Sequence, residues 1–362
     1  LAASHILAVG GDVCSIVTKI QGKAMKTGIE TIVSYFPETK VTDKDYAHLK
    51  PFMPEGMVIP REKRRFADPH ANEIMVVKVA EKALKSVNLA PKDIDLIVCQ
   101  FFGGRFIVPG LAGFLHKQLG FRRETPAWNI QDICASFLDA CEVASNAIKA
   151  GGEYKRVLVV AVSALETGGW GGDPSHLTGA VMGDGAGAAI IAADHLRGEF
   201  LAYNSETYGE IYEPAVMAFE PPAHPELLKG NKWLINKGGC GPHLTPEFDD
   251  LFTGVLSKMV TDALTNATRK AGIQISDIDI VVAHQAFAGL LEVWKQAAEP
   301  LGLPRDRWRD TWDRYGNVGA CDIPATFADL IEEKAIPKGA ILALFSPGGG
   351  GHTPTIIMRW NA

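Results

Sequence analysis

No apolar run in this 362-residue chain approaches the ~18–20 residues that a helix needs to cross a bilayer, so no membrane span and no membrane partner are expected. Cysteine is scarce and scattered. Cys14, Cys99, Cys134, Cys141, Cys240 and Cys321 include no CxxC pair, which excludes a disulfide scaffold and zinc-ligand spacing. No metal is therefore expected, and a reduced, cytoplasmic compartment is the simplest setting. A basic excess is missing too: the net charge of -6 argues against bulk affinity for nucleic acid or anionic membrane. The glycine-rich stretch MGDGAGAA from Met182 lacks both GxGxxG and the Lys-Ser/Thr of a phosphate-binding loop. It reads as a tight turn with close backbone packing.

What is present is ordinary globular material, 47% hydrophobic and 22% charged, long enough for two domains or one large double one. Residues 1–24 carry a mild apolar stretch, Ile6 to Gly10, without a basic segment before a sustained apolar one. They are expected to be an N-terminal extension or an expression remnant, with the fold beginning near Met25.

The chain repeats itself. Residues 93–98 read DIDLIV and residues 277–282 read DIDIVV, an offset of 184 (277 − 93). At the same offset Trp128 meets Trp312, and RVLVVAV from Arg156 meets AILALFS from Ala340. A period of half the chain signals one duplicated domain rather than a solenoid, whose repeats run ~20–50 residues. Within each half, helical spacing (73–87, 136–151, 251–271) alternates with short β-branched runs (93–98, 157–162, 277–282). That pattern implies an α/β fold of sheets covered by helices. The halves are expected at 25–198 and 199–362.

Several positions could carry chemistry. Cys134, in QDICASF, stands between a strand and a helix, where unpaired amides and the helix dipole favour a thiolate able to attack thioesters. A buried structural cysteine is the plain alternative. His284, in VVAHQAF, lies just past a buried strand, where catalytic groups of such sheets gather; a satisfied core histidine would look the same. Asn317, in RYGNVGA, sits in a Gly-flanked turn that suits asparagine for backbone reasons alone. The run PGGGGH from Pro347 exposes consecutive amides, and two amides aimed at one point can stabilise a carbonyl oxygen gaining charge.

Taken together, ICASF, MGDGAGA, AHQA, RYGNVGA and the closing GGGHTPTIIMRW resemble the β-ketoacyl-ACP synthase III family of the thiolase superfamily. The resemblance runs from about Met25 to Arg359. It implies the thiolase fold, a duplicated five-layered αβαβα architecture, and an acyltransferase that forms carbon–carbon bonds by Claisen condensation. By this resemblance Cys134 is the acylated nucleophile. His284 and Asn317 assist decarboxylation of a malonyl-type thioester, and Gly350 with the Cys134 amide forms the oxyanion hole. It also implies a homodimer, and a coenzyme A or carrier-protein thioester as substrate rather than a permanently bound cofactor.

The departures from the family pattern concern the donor. In MVIPREKRRF, Arg61 is kept, Met57 takes a tryptophan position, and the family's Thr-Gly pair is missing. Phe287 and Gly289 replace the usual asparagine and basic residue, and Val108 stands where a phenylalanine often lines the acyl pocket. Val108 and Phe287 are thus expected at the acyl pocket. Arg61, Arg64 and Arg65, within the densest basic cluster, are expected to bind the donor, and a specialised secondary-metabolite enzyme is indicated. Three alternatives remain: a papain-like hydrolase, which the missing signature and the duplication oppose; an acyltransferase to a hydroxyl or amine; and a non-catalytic partner subunit.

Overall fold

The computed structural model describes residues 25–52, 58–103, 106, 108–164, 177–212, 215–218, 241–244 and 254–362. The extension expected over residues 1–24, and Met57, lie outside them.

Fourteen strands are ordered along the described residues. The first half contributes β1 (Gly28–Tyr35), β2 (Lys40–Thr42), β3 (Glu62–Arg64), β4 (Leu96–Gly103), β5 (Ala127–Asn129), β6 (Arg156–Ala164) and β7 (Gly185–Ala192). The second contributes β8 (Gly198–Thr207), β9 (Ala215–Ala218), β10 (Gly241–Leu244), β11 (Ile280–Ala283), β12 (Trp308–Arg309), β13 (Ile341–Phe345) and β14 (His352–Trp360). Ten of them form one sheet in the order β12-β11-β13-β14-β8-β1-β7-β6-β4-β5. Read outward from its middle, β1-β7-β6-β4-β5 is matched by β8-β14-β13-β11-β12, so the duplication is topological as well as textual. Each half pairs its central strands in parallel, β4 with β6 and β11 with β13, and its inner strands antiparallel.

The repeated DID motif does the same work twice. Asp93 and Asp277 cap short turns, accepting from the amides of Ala90 and Gln274, both at 2.8 Å. Asp95 and Asp279 then tie the strand start to the neighbouring strand: Asp95 accepts from the Lys155 and Arg156 amides, Asp279 from that of Ile341. These caps delay the strands, so β4 and β11 begin at Leu96 and Ile280, later than the apolar run alone suggests. The Trp pair is a coincidence of spacing. Trp128 lies in β5, whereas Trp312 opens a single helical turn beyond β12.

The two halves meet at a narrow seam, where only Gly28 with Glu199 and Ile29 with Gly198 pair across β1 and β8. Glycine is required there, since a Cβ on Gly28 would collide with the Gly198 carbonyl oxygen. Six helices cover the sheet: α1 (Ala71–Ser86), α2 (Leu111–Leu119), α3 (Ser136–Lys149), α4 (Val255–Ala271), α5 (Ala288–Ala298) and α6 (Asp322–Glu332). Three apolar clusters show the layering. α1 and α2 pack on the outer face of the first half, and α4 and α5 on that of the second. Between them, α3 and α6 share a core with β-residues of both halves, including Val98, Val159, Val282 and Leu344. The result is five layers, αβαβα. α6 is buried almost throughout, Asp322 to Leu330, as a helix between two sheets must be. Among the described residues no helix is long and apolar enough to cross a membrane.

Candidate active site

The turn Ile133–Ala135 leads directly into α3 and carries Cys134, which is 9% exposed. Ile133 has φ 44°, a conformation that costs a β-branched residue strain. The turn is pinned from both sides: Ser136 Oγ accepts from the Asp132 amide and donates to the Ile133 carbonyl, and Ser346 Oγ donates to the Cys134 carbonyl at 2.7 Å.

His284 follows β11, its amide donating to the Phe345 carbonyl of β13 at 2.8 Å. Its ring is buried and shares a side-chain hydrogen bond with Cys134, while Nδ1 lies 2.6 Å from Asp322 Oδ2. Burial opposes a charge on the imidazole, but the facing Cys134 sulfur and the Asp322 carboxylate outweigh it and raise the ring from 6.5 to about 10.

Asn317 is held by its backbone against the glycine-rich segment. Its amide donates to Val181 O, and its carbonyl accepts from the Gly183 amide at 2.7 Å. That is the close backbone packing expected of MGDGAGAA. Oδ1 of Asn317 accepts from the Gly319 amide at 2.8 Å, and Nδ2 donates one hydrogen to the Ala286 carbonyl, two residues past His284. The Gly319 amide can only donate, so the oxygen's direction is fixed and the second Nδ2 hydrogen is uncommitted among the described residues.

Asp322, at the first turn of α6, was not anticipated from the sequence. It joins the two catalytic candidates of the second half, taking His284 Nδ1 and the Gln285 amide on Oδ2 and the Val318 amide on Oδ1. An acid five residues after a Gly-flanked asparagine, at a helix start, was the available signal.

The other expected site residues are redistributed. In the glycine run it is Gly348 and Gly349 that press on the nucleophile turn. A Cβ on Gly348 would lie 3.0 Å from Asp132 O and 3.1 Å from Ala135 Cβ, and one on Gly349 3.2 Å from Ile133 Cδ1. A Cβ on Gly350 would have Tyr212 as its nearest neighbour. The loop's own turn is closed by Gly351 N donating to Gly348 O and Gly348 N donating to His352 O, so the Gly348 amide is already committed. Beside it, His352 Nε2 lies 2.9 Å from Asp139 Oδ1, which Tyr203 also engages; this contact, more than partial burial opposes it, raises the His352 pKa.

The basic cluster is not one surface. Side chains alternate across β3, so Lys63 and Arg65 point inward while Glu62 and Arg64 point out. Arg65 is 4% exposed and faces the buried carboxylate of Asp184, so it cannot meet a donor. Lys63 donates to the Gly179 and Ala180 carbonyls over the Tyr46 ring. Arg64 leans on the Pro37 and Glu38 carbonyls. Arg61 alone is fully at the surface, 3.0 Å from Asp313, on a cavity of about 520 Å³ that none of Cys134, His284 or Asn317 lines. Val108 is 79% exposed, so it lines no pocket within its own chain, and Phe287 packs on the outer core of the second half.

A duplicated five-layer α/β fold, with a thiol and an imidazole brought together from its two halves, defines a thiolase-fold protein. Comparison with known proteins agrees. Two profiles match, that of 3-oxoacyl-[acyl-carrier-protein] synthase III over residues 128–209 and that of its C-terminal part over residues 268–360. Curated β-ketoacyl-[acyl-carrier-protein] synthases III are similar along nearly their full length. The Fusobacterium nucleatum protein is 26% identical, covering 92% of this chain and 98% of its own, and the Bacillus pumilus protein 28%, covering 93% and 100%. The crystal structure of 3-oxoacyl-(acyl carrier protein) synthase III from Pseudomonas aeruginosa PAO1 superposes with a TM-score of 0.75 at 21% identity, covering 93% of this chain and 99% of that one. The chain is thus similar to 3-oxoacyl-[acyl-carrier-protein] synthases III over most of its length.

Proposed function

We propose that the protein is a β-ketoacyl synthase III-like condensing enzyme, an acyltransferase that loads an acyl group on Cys134 and joins it to a malonyl- or β-ketoacyl-type thioester. The observation that carries this reading is the convergence of Cys134, hydrogen-bonded to His284, with an Asn317 amide whose free N–H is oriented by its own backbone contacts. In the loading step Cys134 Sγ bonds to the thioester carbonyl carbon and the donor's thiol leaves. In the second step, taken with a malonyl-type acceptor, the carboxylate departs as carbon dioxide. Its bonding electrons pass to the thioester as an enolate, whose oxygen is held by His284 and Asn317. The carbanion attacks the acyl-enzyme, a carbon–carbon bond forms, and the Cys134 thioester breaks. The amides of Cys134 and Gly350 hold the oxyanion of both tetrahedral intermediates.

The donor is a coenzyme A or carrier-protein thioester, and the only surface-reaching members of the basic segment available to it are Arg61 and, in part, Arg64. The working unit is a cytoplasmic homodimer, in which the exposed Val108 meets the second copy. Mass spectrometry after exposure to a panel of acyl-thioesters tests the central claim. One acyl mass should appear on the wild type and on Cys141→Ala, and none on Cys134→Ala. Continued acylation of Cys134→Ala would overturn it, and no acylation of the wild type would favour the non-catalytic subunit.

A further inference from the structure

Three nitrogens converge on the two oxygens of Asp322, which is 1% exposed. They are the His284 ring at 2.6 Å and the Gln285 and Val318 amides, both at 3.0 Å. The two amides can only donate, so Asp322 acts towards them as an acceptor, and the same oxygen that accepts from Gln285 faces His284 Nδ1. The ring hydrogen therefore sits on Nδ1. A neutral imidazole has only one N–H. Spent on Asp322, it leaves Nε2, the nitrogen left for Cys134, with a lone pair and nothing to donate. The condensation proposed above asks this nitrogen for a donor at the enolate oxygen.

We propose that Asp322 is a positioning residue that fixes the Nδ1–H tautomer of His284, so that His284 donates to a substrate oxygen from Nε2 only as the imidazolium. This rests on the condensing reading. The proton balance closes. As loading begins, the Cys134 proton passes to Nε2, the Sγ–carbon bond forms, and the donor's carbon–sulfur bond breaks. The departing thiolate takes a proton from solvent, so His284 keeps its own. Loss of carbon dioxide then places charge on the enolate oxygen, facing Nε2–H and the free Asn317 N–H. Condensation expels Cys134 as a thiolate opposite the imidazolium, which restores the starting pair. One proton is consumed per turnover.

Among the described residues the titratable groups at the ring are Cys134 from the turn before α3 and Asp322 from α6, with Cys321 preceding it in the chain. Burial pushes the Cys321 thiol up, so it stays neutral and does not compete. In the free enzyme the Cys134 sulfur, and after it Asp322, raise the imidazole to about 10 against the effect of burial; once Cys134 is acylated only the Asp322 contribution remains to hold the donor form.

Two measurements test this. Long-range ¹H–¹⁵N spectra of the ¹⁵N-histidine-labelled wild type, assigned with His284→Gln, should show Nδ1 protonated throughout and Nε2 protonated at pH 8. A lone pair on Nδ1 would overturn the proposal, whether or not the enzyme condenses. Condensation by pre-acylated enzyme is then followed against pH. In Asp322→Asn the alkaline limb should move down by at least one pH unit, with kcat reduced at least tenfold, KM for the malonyl-type thioester little changed, and partial rescue in Asp322→Glu. A folded Asp322→Asn protein with the wild-type limb would overturn it. If that variant does not fold, the wild-type spectra decide. A wild type that loads but forms no condensed product would sink the condensing reading while leaving the tautomer result standing.

Discussion

Cys134 differs from the other described cysteines in its neighbours more than in its burial. Cys99, Cys141 and Cys321 lie in apolar surroundings that push their thiols up, Cys99 to about 12. Such groups remain inert thiols at neutral pH, whereas Cys134 faces an imidazole across a hydrogen bond. Asn317 is separable from it. In the proposed reaction its side chain serves the enolate rather than the acyl-enzyme, so Asn317→Ala should load normally and condense about 10²–10³-fold more slowly, the usual loss when one such donor is removed. Normal condensation would instead favour acyl transfer to a hydroxyl or amine. Arg65 makes the opposite case, a residue whose charge looks like a docking handle and is structural. Arg65→Ala removes the guanidinium facing the buried Asp184 carboxylate and should cost about 3–5 kcal/mol in denaturant unfolding. Any loss of loading should be equal with a carrier-protein donor and a minimal pantetheine thioester. A stable variant impaired only with the carrier protein would return Arg65 to the donor site.

Among the elements, the glycine loop before β14 and the turn before α3 form one unit. Gly348 lets the loop lie on the backbone of the nucleophile turn, where Ile133 is already strained. Gly348→Ala must shift that backbone, since 3.0 Å to a carbonyl oxygen is too short for a Cβ. Acyl loading should slow while the protein remains folded, as stopped-flow loading and thermal melts would show. Gly113→Ala is the control, because the site on α2 faces open space. It should be neutral or stabilising by about 0.5–1 kcal/mol, the helix-interior cost of glycine. Loading at the wild-type rate in Gly348→Ala would separate the loop from the turn. The basic segment shows why a charge run misleads when it forms a strand. In β3 a period of two buries Lys63 beside a partly exposed Arg64, and no count of charges reveals that alternation.

At the scale of the molecule, two halves sharing one central helical layer place Cys134 on one half and His284, Asn317 and Asp322 on the other. Cys134 precedes α3, and His284 and Asn317 flank the elements that lead to α6. The site is thus assembled by the packing of the halves, and a chain that folded only one of them would hold no complete triad. Val108 and Phe106 are both exposed, and in the proposed homodimer a second copy covers them. Light scattering at micromolar concentration should give twice the chain mass, and Val108→Asp should shift the protein towards monomer. A wild-type monomer would contradict the dimer.

The sequence by itself determined the duplicated α/β architecture, because hydrophobic periodicity and the twice-written DID caps are local signals that survive without coordinates. It also marked Cys134, His284 and Asn317, each of which stands at the end of a regular element. It did not reveal Asp322, whose role depends on a 2.6 Å contact across 38 residues of chain. Nor did it show which glycine of the loop presses on the turn before α3, or separate Arg61 from Arg65. Those distinctions are made by which backbone approaches which, and by which way a strand faces, and both are settled only when the layers close on one another.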